Sequence, residues 1–178
     1  MTIHIRKAVP GDIPGIRNVQ KVTWLDTYTN KETDITPEDI KSVFKDDDKP
    51  ERKKKIEEIK KRYKEKGKQT WVAEENGKIV GFCEAINEKN NRCISAIYIL
   101  PQCHGKGIGG RLIAKAFDWL GEDKPISVTP VEYNINAINF YKRYGFVDTG
   151  EKIPRKNTIK LPTGKILPEI KLIRPAQS

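Results

Sequence analysis

The sequence predicts a single α/β domain in which helices flank one central sheet. Three observations support this prediction. The chain of 178 residues has the usual length of one domain. Short stretches in which apolar and polar residues alternate indicate strands, and the segments between them place apolar residues at helical spacing. No internal repeat or linker divides the chain, so residues 1–178 are expected to form one domain.

Composition narrows the class of protein. The chain is 37% hydrophobic and 33% charged, and no apolar run approaches the ~20 residues needed to cross a membrane. The N-terminus lacks the apolar core of a signal peptide, so we expect a cytoplasmic protein with no membrane partner. Cys83, Cys93 and Cys103 lie ten residues apart without a histidine cluster, which excludes a recognisable zinc site; no metal is expected.

The net charge of +10 is unevenly distributed. Residues 24–48 contain 8 acidic and 3 basic residues, whereas residues 49–68 contain 11 basic and 4 acidic residues. The basic segment resembles an arm for nucleic acid, but it has one aromatic residue, and its glutamates lie three and four positions from lysines. A solvated helix is the better interpretation, and we expect no nucleic-acid partner.

The first third of the chain is expected to contain a strand and three helices. Residues 3–8 alternate as in a strand. Asp12 offers an N-cap for a helix that ends around Trp24. A Thr-Pro pair starts a second helix over residues 36–44, and the charged residues 50–67 form a third.

A meander of three strands follows. The Asn76-Gly77 pair is a strong hairpin signal and divides residues 69–86 into two strands. After a turn, residues 92–100 form the third strand. Because this strand is the most apolar, it is expected at the centre of the sheet.

The C-terminal part is expected to add two helices and three strands. A helix that includes residues 112–120 has one apolar face, and residues 125–131 form a strand. A short helix ends at Gly145. Residues 158–161 and 170–173 are strand-like and are joined through a Pro-Thr-Gly-Lys turn.

The segment QCHGKGIGGRL, residues 102–112, lies between the central strand and the next helix. A helix that starts after glycines presents free backbone N–H groups and a positive dipole end, which suit phosphate oxygens. The glycines at 105, 107 and 110 satisfy the dinucleotide pattern G-x-G-x-x-G, with Asp123 at a tolerable distance for a ribose. That pattern normally follows the first strand of a parallel sheet, however, and not an antiparallel meander. A Walker loop is excluded because no G-K-[ST] occurs.

Two motifs together resemble the GNAT N-acetyltransferase superfamily. Gln102-x-x-Gly105-x-Gly107, after IYILP, looks like its acetyl-CoA pyrophosphate loop. Asn134 and Ala137, followed by NFYKRYGF, match the N-x-x-A-x-x-x-Y-x-x-x-G-F pattern of its closing helix. The order of elements agrees over nearly the whole chain. The resemblance implies a mixed, largely antiparallel central sheet and acetyl-CoA as the acetyl donor.

The resemblance also implies roles for the matching residues. Those expected to bind acetyl-CoA lie on the central strand, in the glycine-rich loop and in the closing helix: Ile97, Tyr98, Ile99, His104, Gly105, Lys106, Gly107, Ile108, Gly109, Gly110, Asn134 and Ala137. Tyr141 would donate a proton to the departing CoA thiolate, for which a phenol of pKa ~10 is a reasonable donor. Direct attack by an amine needs no enzyme nucleophile, and no Ser/His/Asp or Cys/His signature is present.

Two positions depart from the superfamily's pattern. His104 stands where arginine is usual, so pyrophosphate binding is expected to be weaker or pH-sensitive. Ser95 stands where several members have a carboxylate that serves as base, and Glu84 on the neighbouring strand is the substitute candidate. The alternative is that Glu84 is an ordinary solvent-facing residue and a water chain removes the proton.

The acceptor is expected near the segment after the first helix. Trp24 and Tyr28 would form an aromatic wall, and the acidic residues nearby would attract a cationic amine such as a polyamine or a peptide amine. The alternative, which the sequence favours equally, is that Trp24 closes the core beneath a solvated acidic loop and has no contact with the acceptor.

The leading hypothesis is an enzyme that transfers acetyl from acetyl-CoA to a primary amine. A non-catalytic CoA-binding or interaction module on the same fold is the alternative from another class. A nicotinamide-dependent oxidoreductase that uses the same glycines is a third reading. A homodimer formed through strands of the C-terminal tail stays open.

Overall fold

A computed structural model of the chain describes residues 2–45, 65–89, 91–154 and 157–177. The helices are α1 (Ile13–Tyr28), α2 (Pro37–Ser42), α3 (Ile108–Leu120) and α4 (Ile135–Arg143). The strands are β1 (Ile3–Lys7), β2 (Lys68–Glu75), β3 (Lys78–Glu88), β4 (Asn91–Ile99), β5 (Ile126–Val128), β6 (Val147–Lys152), β7 (Ile159–Lys160), β8 (Ile166–Leu167) and β9 (Ile170–Arg174).

The predicted fold class is confirmed. The large sheet has seven strands in the order β1-β2-β3-β4-β5-β9-β6, and its neighbouring strands are antiparallel except β4 and β5. Helices α1 and α3 both pack on β3 and β4. The chain is thus a single α/β domain with a mixed, largely antiparallel central sheet.

The meander forms as the sequence predicts. Asn76 and Gly77 adopt positive φ angles of 52° and 75°, as a two-residue hairpin turn requires, and they join β2 to β3. The apolar strand β4 lies fourth of the seven strands, so its central position is confirmed.

The N-terminal helices differ from the prediction at two points. Helix α1 continues four residues past Trp24 to Tyr28, because the buried side of the helix includes both of these aromatic residues. Asp12 stands at the N-cap position, but its carboxylate accepts no hydrogen bond from the helix; it accepts from Arg6 and from the backbone N–H of Val9 instead. The charged helix predicted for residues 50–67 lies largely outside the described residues, which resume at 65.

The C-terminal part contains the clearest corrections. Strand β6 was not predicted, because its six residues are all exposed and lack the alternation of a half-buried strand. A second strand, β8, was also not predicted; it pairs with β7 in a separate two-stranded sheet. The last strand, β9, inserts between β5 and β6.

A gap in the sheet positions the candidate site. Within residues 91–154, all of which are described, β4 and β5 pair at a single position, Cys93 with Ser127. Beyond that pair the two strands diverge and leave an open edge on β4. None of the helices in the described ranges is long and apolar enough to span a membrane.

Candidate active site

A cleft of about 750 Å³ occupies the gap between β4 and β5. Its walls come from the end of α1, the open edge of β4, the glycine loop (residues 102–110) and the start of α4. Every residue predicted to bind acetyl-CoA lines this cleft except Lys106, and so do Tyr141 and Tyr28. The fold therefore brings together residues that are up to 113 positions apart in the chain, from Tyr28 to Tyr141.

The glycine loop leaves open space beside free backbone donors. Gly105 and Gly107 have φ angles of +76° and +72°, and a Cβ atom at either would meet nothing within 4 Å. Gly107 is the N-cap of α3 without a side-chain cap. The N–H groups of the first turn, from Ile108, Gly109 and Gly110, donate to no residue that the structure describes. An anion is the ligand that such a helix start accommodates.

Gly109 and Gly110 have a different role, in packing. A Cβ atom at Gly109 would lie 3.0 Å from the ring of Phe140, and one at Gly110 would lie 2.5 Å from the Tyr144 hydroxyl. The absence of both Cβ atoms lets α3 approach α4 closely. The four glycines of the loop thus divide into two that shape the backbone and two that allow helix packing.

His104 and Lys106, the two loop residues predicted to supply positive charge, each contact another residue of this chain. An imidazole nitrogen of His104, Nε2, lies 2.9 Å from the carbonyl oxygen of Ile99 at the end of β4. Lys106 lies outside the cleft, with Nζ 3.4 Å from a carboxylate oxygen of Glu75. Backbone N–H groups are therefore the main anion donors of the loop.

Asn134 begins α4 and lines the cleft at the same time. Its side-chain oxygen accepts a hydrogen bond from the Ala137 backbone N–H at 3.1 Å, so the residue acts as an N-cap. This bond orients the amide group at the cleft wall opposite the open edge of β4, where Ile97 and Ile99 lie.

Tyr141 lies deep in the cleft with an unpaired hydroxyl. Its ring is 4% exposed and packs edge-on against Phe140 and Phe146, at centroid distances of 5.4 Å for each. Within the described ranges, its hydroxyl makes no hydrogen bond. Burial raises the pKa of Tyr141 well above the ordinary value, and the nearby Cys83 and Tyr98 raise it further. The phenol therefore stays protonated at neutral pH and is available as a donor.

Three more tyrosines line the part of the cleft beside α1, which is named the acceptor side here because the acceptor is predicted to bind there. The hydroxyl oxygens of Tyr28 and Tyr98 are 3.1 Å apart, and Tyr133 donates to the backbone carbonyl of Tyr28 at 3.0 Å. Burial raises the pKa of both Tyr28 and Tyr98. All three side chains line the cleft, so they present neutral hydroxyl and ring surfaces to an acceptor.

Trp24 and Glu84, predicted as site residues, do not line the cleft. Trp24 is 6% exposed and packs behind the tyrosines, with its ring centroid 5.3 Å from that of Tyr28 and 6.4 Å from that of Tyr98. The Glu84 carboxylate accepts from the hydroxyls of Ser95 at 2.8 Å and Thr70 at 3.4 Å. Of these neighbours, Ser95 reaches the cleft.

Three residues at or beside the cleft that were not predicted from the sequence carry chemistry of interest. Arg143 and Thr129 line it, and Glu169 lies behind Thr129 at 9% exposure. Arg143 stood within the quoted motif NFYKRYGF and its charge was a usable signal. Thr129 and Glu169 are 40 positions apart and match no motif, so the pairing of β5 with β9 alone brings them together.

The dinucleotide reading, with Asp123 as the ribose ligand, finds no support in the geometry. Asp123, the candidate ribose ligand, accepts a hydrogen bond from Arg92 at 2.9 Å and does not line the cleft. Among the residues that the structure describes, no group of three or more histidine, cysteine or carboxylate side chains is arranged to bind a metal ion.

Comparisons with known proteins agree with this geometry. Residues 31–163 match the profile of the acetyltransferase (GNAT) domain. The uncharacterized N-acetyltransferase YhfO of Bacillus subtilis is 30% identical over 88 residues, which cover 44% of this chain and 59% of that protein. The peptidyl-lysine N-acetyltransferase YiaC of Escherichia coli is 33% identical over 79 residues, 44% of this chain and 49% of that protein. The chain therefore spans about half the length of the curated relatives it matches.

The fold has matches among solved structures. The crystal structure of the PaiA N-acetyltransferase of Thermoplasma acidophilum, a complex with coenzyme A, superposes with a TM-score of 0.72 at 19% identity, over 98% of this chain and 99% of that one. This likeness concerns the fold. The domain match covers about three quarters of the sequence, 133 of 178 residues, and the chain belongs to the GNAT acetyltransferase family.

Proposed function

We propose that the protein transfers the acetyl group of acetyl-CoA to a primary amine by direct attack. The observation that supports this most strongly is the cleft itself, which joins an open glycine loop with free N–H groups to the unpaired hydroxyl of Tyr141. The loop fits a pyrophosphate because its space is open and its donors are free. The CoA complex of the structural neighbour agrees with this ligand.

The proposed reaction needs few groups from the protein. The amine nitrogen forms a bond to the acetyl carbon, the carbon–sulfur bond breaks, and the sulfur takes a proton from Tyr141. The tyrosine regains its proton from the amine side, so that one proton per turnover passes to solvent. We expect N–H groups on the open edge of β4 to polarise the acetyl oxygen. The expected base from sequence, Glu84, stays a prediction.

The acceptor class follows from the walls of the cleft. Asp26 and the tyrosines of the acceptor side form a surface that accepts hydrogen bonds and carries negative charge at its rim. A cationic amine, such as a polyamine or a lysine side chain, fits this surface. The relative YiaC is named a peptidyl-lysine N-acetyltransferase, so a lysine peptide is the first acceptor to assay.

Calorimetry and kinetics together test the proposal. Acetyl-CoA is expected to bind with micromolar affinity, about −8 kcal/mol, and NAD is expected not to bind. Tyr141→Phe should lower kcat by about 100-fold or more while acetyl-CoA affinity stays unchanged, because the ring remains and only the proton donor is removed. Unchanged turnover in Tyr141→Phe would assign the proton donor elsewhere. Binding of acetyl-CoA without transfer to any amine would favour a non-catalytic CoA-binding module.

A further inference from the structure

We propose that Glu169 accepts the proton of the acceptor ammonium through the hydroxyl of Thr129. This inference rests on the proposed function and names the base side of that reaction. Glu169 would not touch the substrate, so it acts as a positioning residue behind Thr129, which does face the cleft.

The geometry connects the carboxylate to the cleft by one hydrogen bond. Thr129 Oγ1 donates to Glu169 Oε1 at 3.2 Å, and Thr129 lines the cleft. The two residues lie on the same face of the sheet, because Val131 is paired with Glu169 and side chains alternate along each strand. Glu169 is 9% exposed, and its other oxygen accepts from the backbone N–H of Ile159 at 3.2 Å.

Thr129 lies in the open part of the gap between β4 and β5. The last pair that joins these strands is Cys93 with Ser127, two positions before Thr129. The opposite wall is the open edge of β4, where Ser95 lies at the same level and Tyr98 lies three positions further along. An amine that enters the cleft from the acceptor side would therefore pass within reach of the Thr129 hydroxyl, which can take its proton.

The surroundings of Glu169 favour proton uptake. Burial raises its pKa above the ordinary value, although its hydrogen bonds from Ile159 and Thr129 act in the opposite direction. The ionisable groups near it from α1 and β4 are Tyr28 and Tyr98, and the negative charge of Glu169 contributes to their raised pKa values. On the adjoining segments, Lys152 and Glu132 pair with each other at 4.0 Å. A carboxylate with a raised pKa is a stronger base than an exposed one.

The carboxylate of Glu84 makes a similar connection to the cleft through Ser95, on the opposite wall of the gap. Ser95 on β4 and Thr129 after β5 both lie two positions beyond the Cys93–Ser127 pair, so the two connections reach the gap at the same level. Glu84 is also bonded to Thr70 on β2, which lies farther from β5 in the sheet. Burial first and then the charge of Glu84 raise the pKa of the Cys83 and Cys93 thiols, whereas the charge of Glu169 adds to the effect of burial on the pKa of Tyr28 and Tyr98.

The proposed proton transfer is balanced. One N–H bond of the ammonium breaks and its proton binds Thr129 Oγ1, while the original hydroxyl proton of Thr129 moves to Glu169 Oε1. The amine is then neutral and its electron pair is free for attack. Glu169 later releases the proton to solvent.

The test measures kcat/KM against pH for Glu169→Gln, Thr129→Val and Thr129→Ser, with an acetyl-capped lysine peptide, spermidine and an alanine N-terminal peptide as acceptors. In Glu169→Gln, kcat/KM for the amine should fall about 100-fold or more, and the acidic limb of its pH profile should disappear, while KM for acetyl-CoA stays unchanged. Thr129→Ser should stay near wild type because it keeps the hydroxyl, whereas Thr129→Val should fall as Glu169→Gln does. Thr129→Val leaves the Ile159 bond intact, so it tests the relay even if Glu169→Gln folds poorly.

Three outcomes would overturn the inference. The first is a wild-type pH profile in both Glu169→Gln and Thr129→Val. The second is loss of the acidic limb in Glu84→Gln with its retention in Glu169→Gln, which would assign the base to Glu84. The third is a wild-type protein that acetylates none of the three amines, in which case the proposed function fails and the inference fails with it. In the first two outcomes the proposed function stands.

Discussion

At the scale of single residues, the cleft contains an arginine, Arg143, whose positive charge adds to the neutral backbone N–H donors of the glycine loop. Arg143 is exposed at the end of α4, lines the cleft and lies with its guanidinium 5.8 Å from the centroid of the Phe140 ring. With His104 in place of the usual arginine and Lys106 paired with Glu75, Arg143 is a cleft cation that we expect to contact a CoA phosphate. Arg143 is therefore a candidate to replace the positive charge that is lost where His104 stands in place of arginine.

Arg143→Ala is expected to raise the Kd of acetyl-CoA about 3- to 10-fold, since an exposed charge-assisted contact contributes on the order of 1 kcal/mol. The fold should be unaffected because the side chain is exposed. Calorimetric titration measures the change. Lys142→Ala is the matched control, because Lys142 is the neighbouring exposed cation and does not line the cleft. Equal losses in both variants would mean that net charge matters and that position does not.

At the scale of elements, the loop before α3 combines backbone conformation with ligand access. Gly107 has a φ of +72° and caps α3, while Gly11, in the turn before α1, has neither a positive φ nor a close neighbour. A Cβ atom would meet nothing within 4 Å at either position, so an alanine at Gly107 is strained by its φ angle, whereas an alanine at Gly11 is not.

Gly107→Ala should weaken acetyl-CoA binding about 10-fold. An alanine in the left-handed region costs roughly 1–2 kcal/mol, and the loop would relax away from the conformation that aims its N–H groups at the anion. Titration with acetyl-CoA and a thermal melt check the result. Gly11→Ala should change neither quantity. Undiminished affinity in Gly107→Ala would show that the loop conformation does not determine binding.

The start of α1 depends on an ion pair with β1 and β2. Arg6 on β1 contacts Asp12 at 2.6 and 2.8 Å and also contacts Glu74 of β2 at 2.7 Å. The hydrogen bonds from Arg6, with help from the Val9 N–H, lower the pKa of Asp12 below its ordinary value. A lowered carboxyl pKa adds stability at neutral pH that disappears as the pH falls through the folded-state value.

Asp12→Asn is expected to reduce the free energy of unfolding by about 1–2 kcal/mol near pH 7, a value discounted because the Arg6 side chain is 38% exposed. The difference from wild type should shrink as the pH falls below about 4, where Asp12 in the unfolded chain is protonated. Chemical denaturation of both proteins near pH 7 and below pH ~4 gives the difference in the free energy of unfolding at each pH. Glu38→Gln, which removes an exposed pair with Lys41, should have almost no effect. A difference that does not depend on pH would contradict the ionic explanation.

At the scale of the whole molecule, the buried residues form two hydrophobic clusters. The larger one lies around the sheet and α3, and the smaller one lies under α2 and the β7–β8 hairpin. Lys165 links these two elements, since Nζ lies 3.0 Å from Asp39 Oδ2 on α2 and 3.0 Å from Asp34 Oδ2. Hydrogen bonds from Thr36 and then Lys165 hold the pKa of Asp39 far below its ordinary value.

Lys165→Met should speed amide hydrogen exchange in residues 159–167 and in α2, because the link between the two elements is lost. Exchange in β3 and β4 should stay at the wild-type rate, since these strands belong to the larger cluster. Mass spectrometry of exchanged peptides resolves the two regions. Lys160→Met changes an exposed lysine of the same hairpin and should leave exchange unchanged. Faster exchange throughout the sheet would show that the two clusters unfold as one unit.

Local patterns were sufficient to predict most of the fold. The Asn76-Gly77 turn, the apolar strand β4 and the Thr-Pro start of α2 each depend on residues that are close in sequence. Tail strands β6, β8 and β9 could not be paired in this way. Strand β6 has no buried alternation, and β9 lies in the sheet between β5 and β6, two strands that are not its neighbours along the chain.

By itself the sequence determined the described elements up to β5, the glycine loop, the presence of Tyr141 in the cleft and the superfamily, because a turn, a helix cap or a motif is specified by neighbouring residues. The tertiary structure alone decided that Trp24 lies behind the cleft wall and that Lys106 turns to Glu75. It also decided that Glu169 meets Thr129. The physical reason is that strand pairing and core packing join residues far apart in the chain, and no local pattern specifies which distant residues share a face.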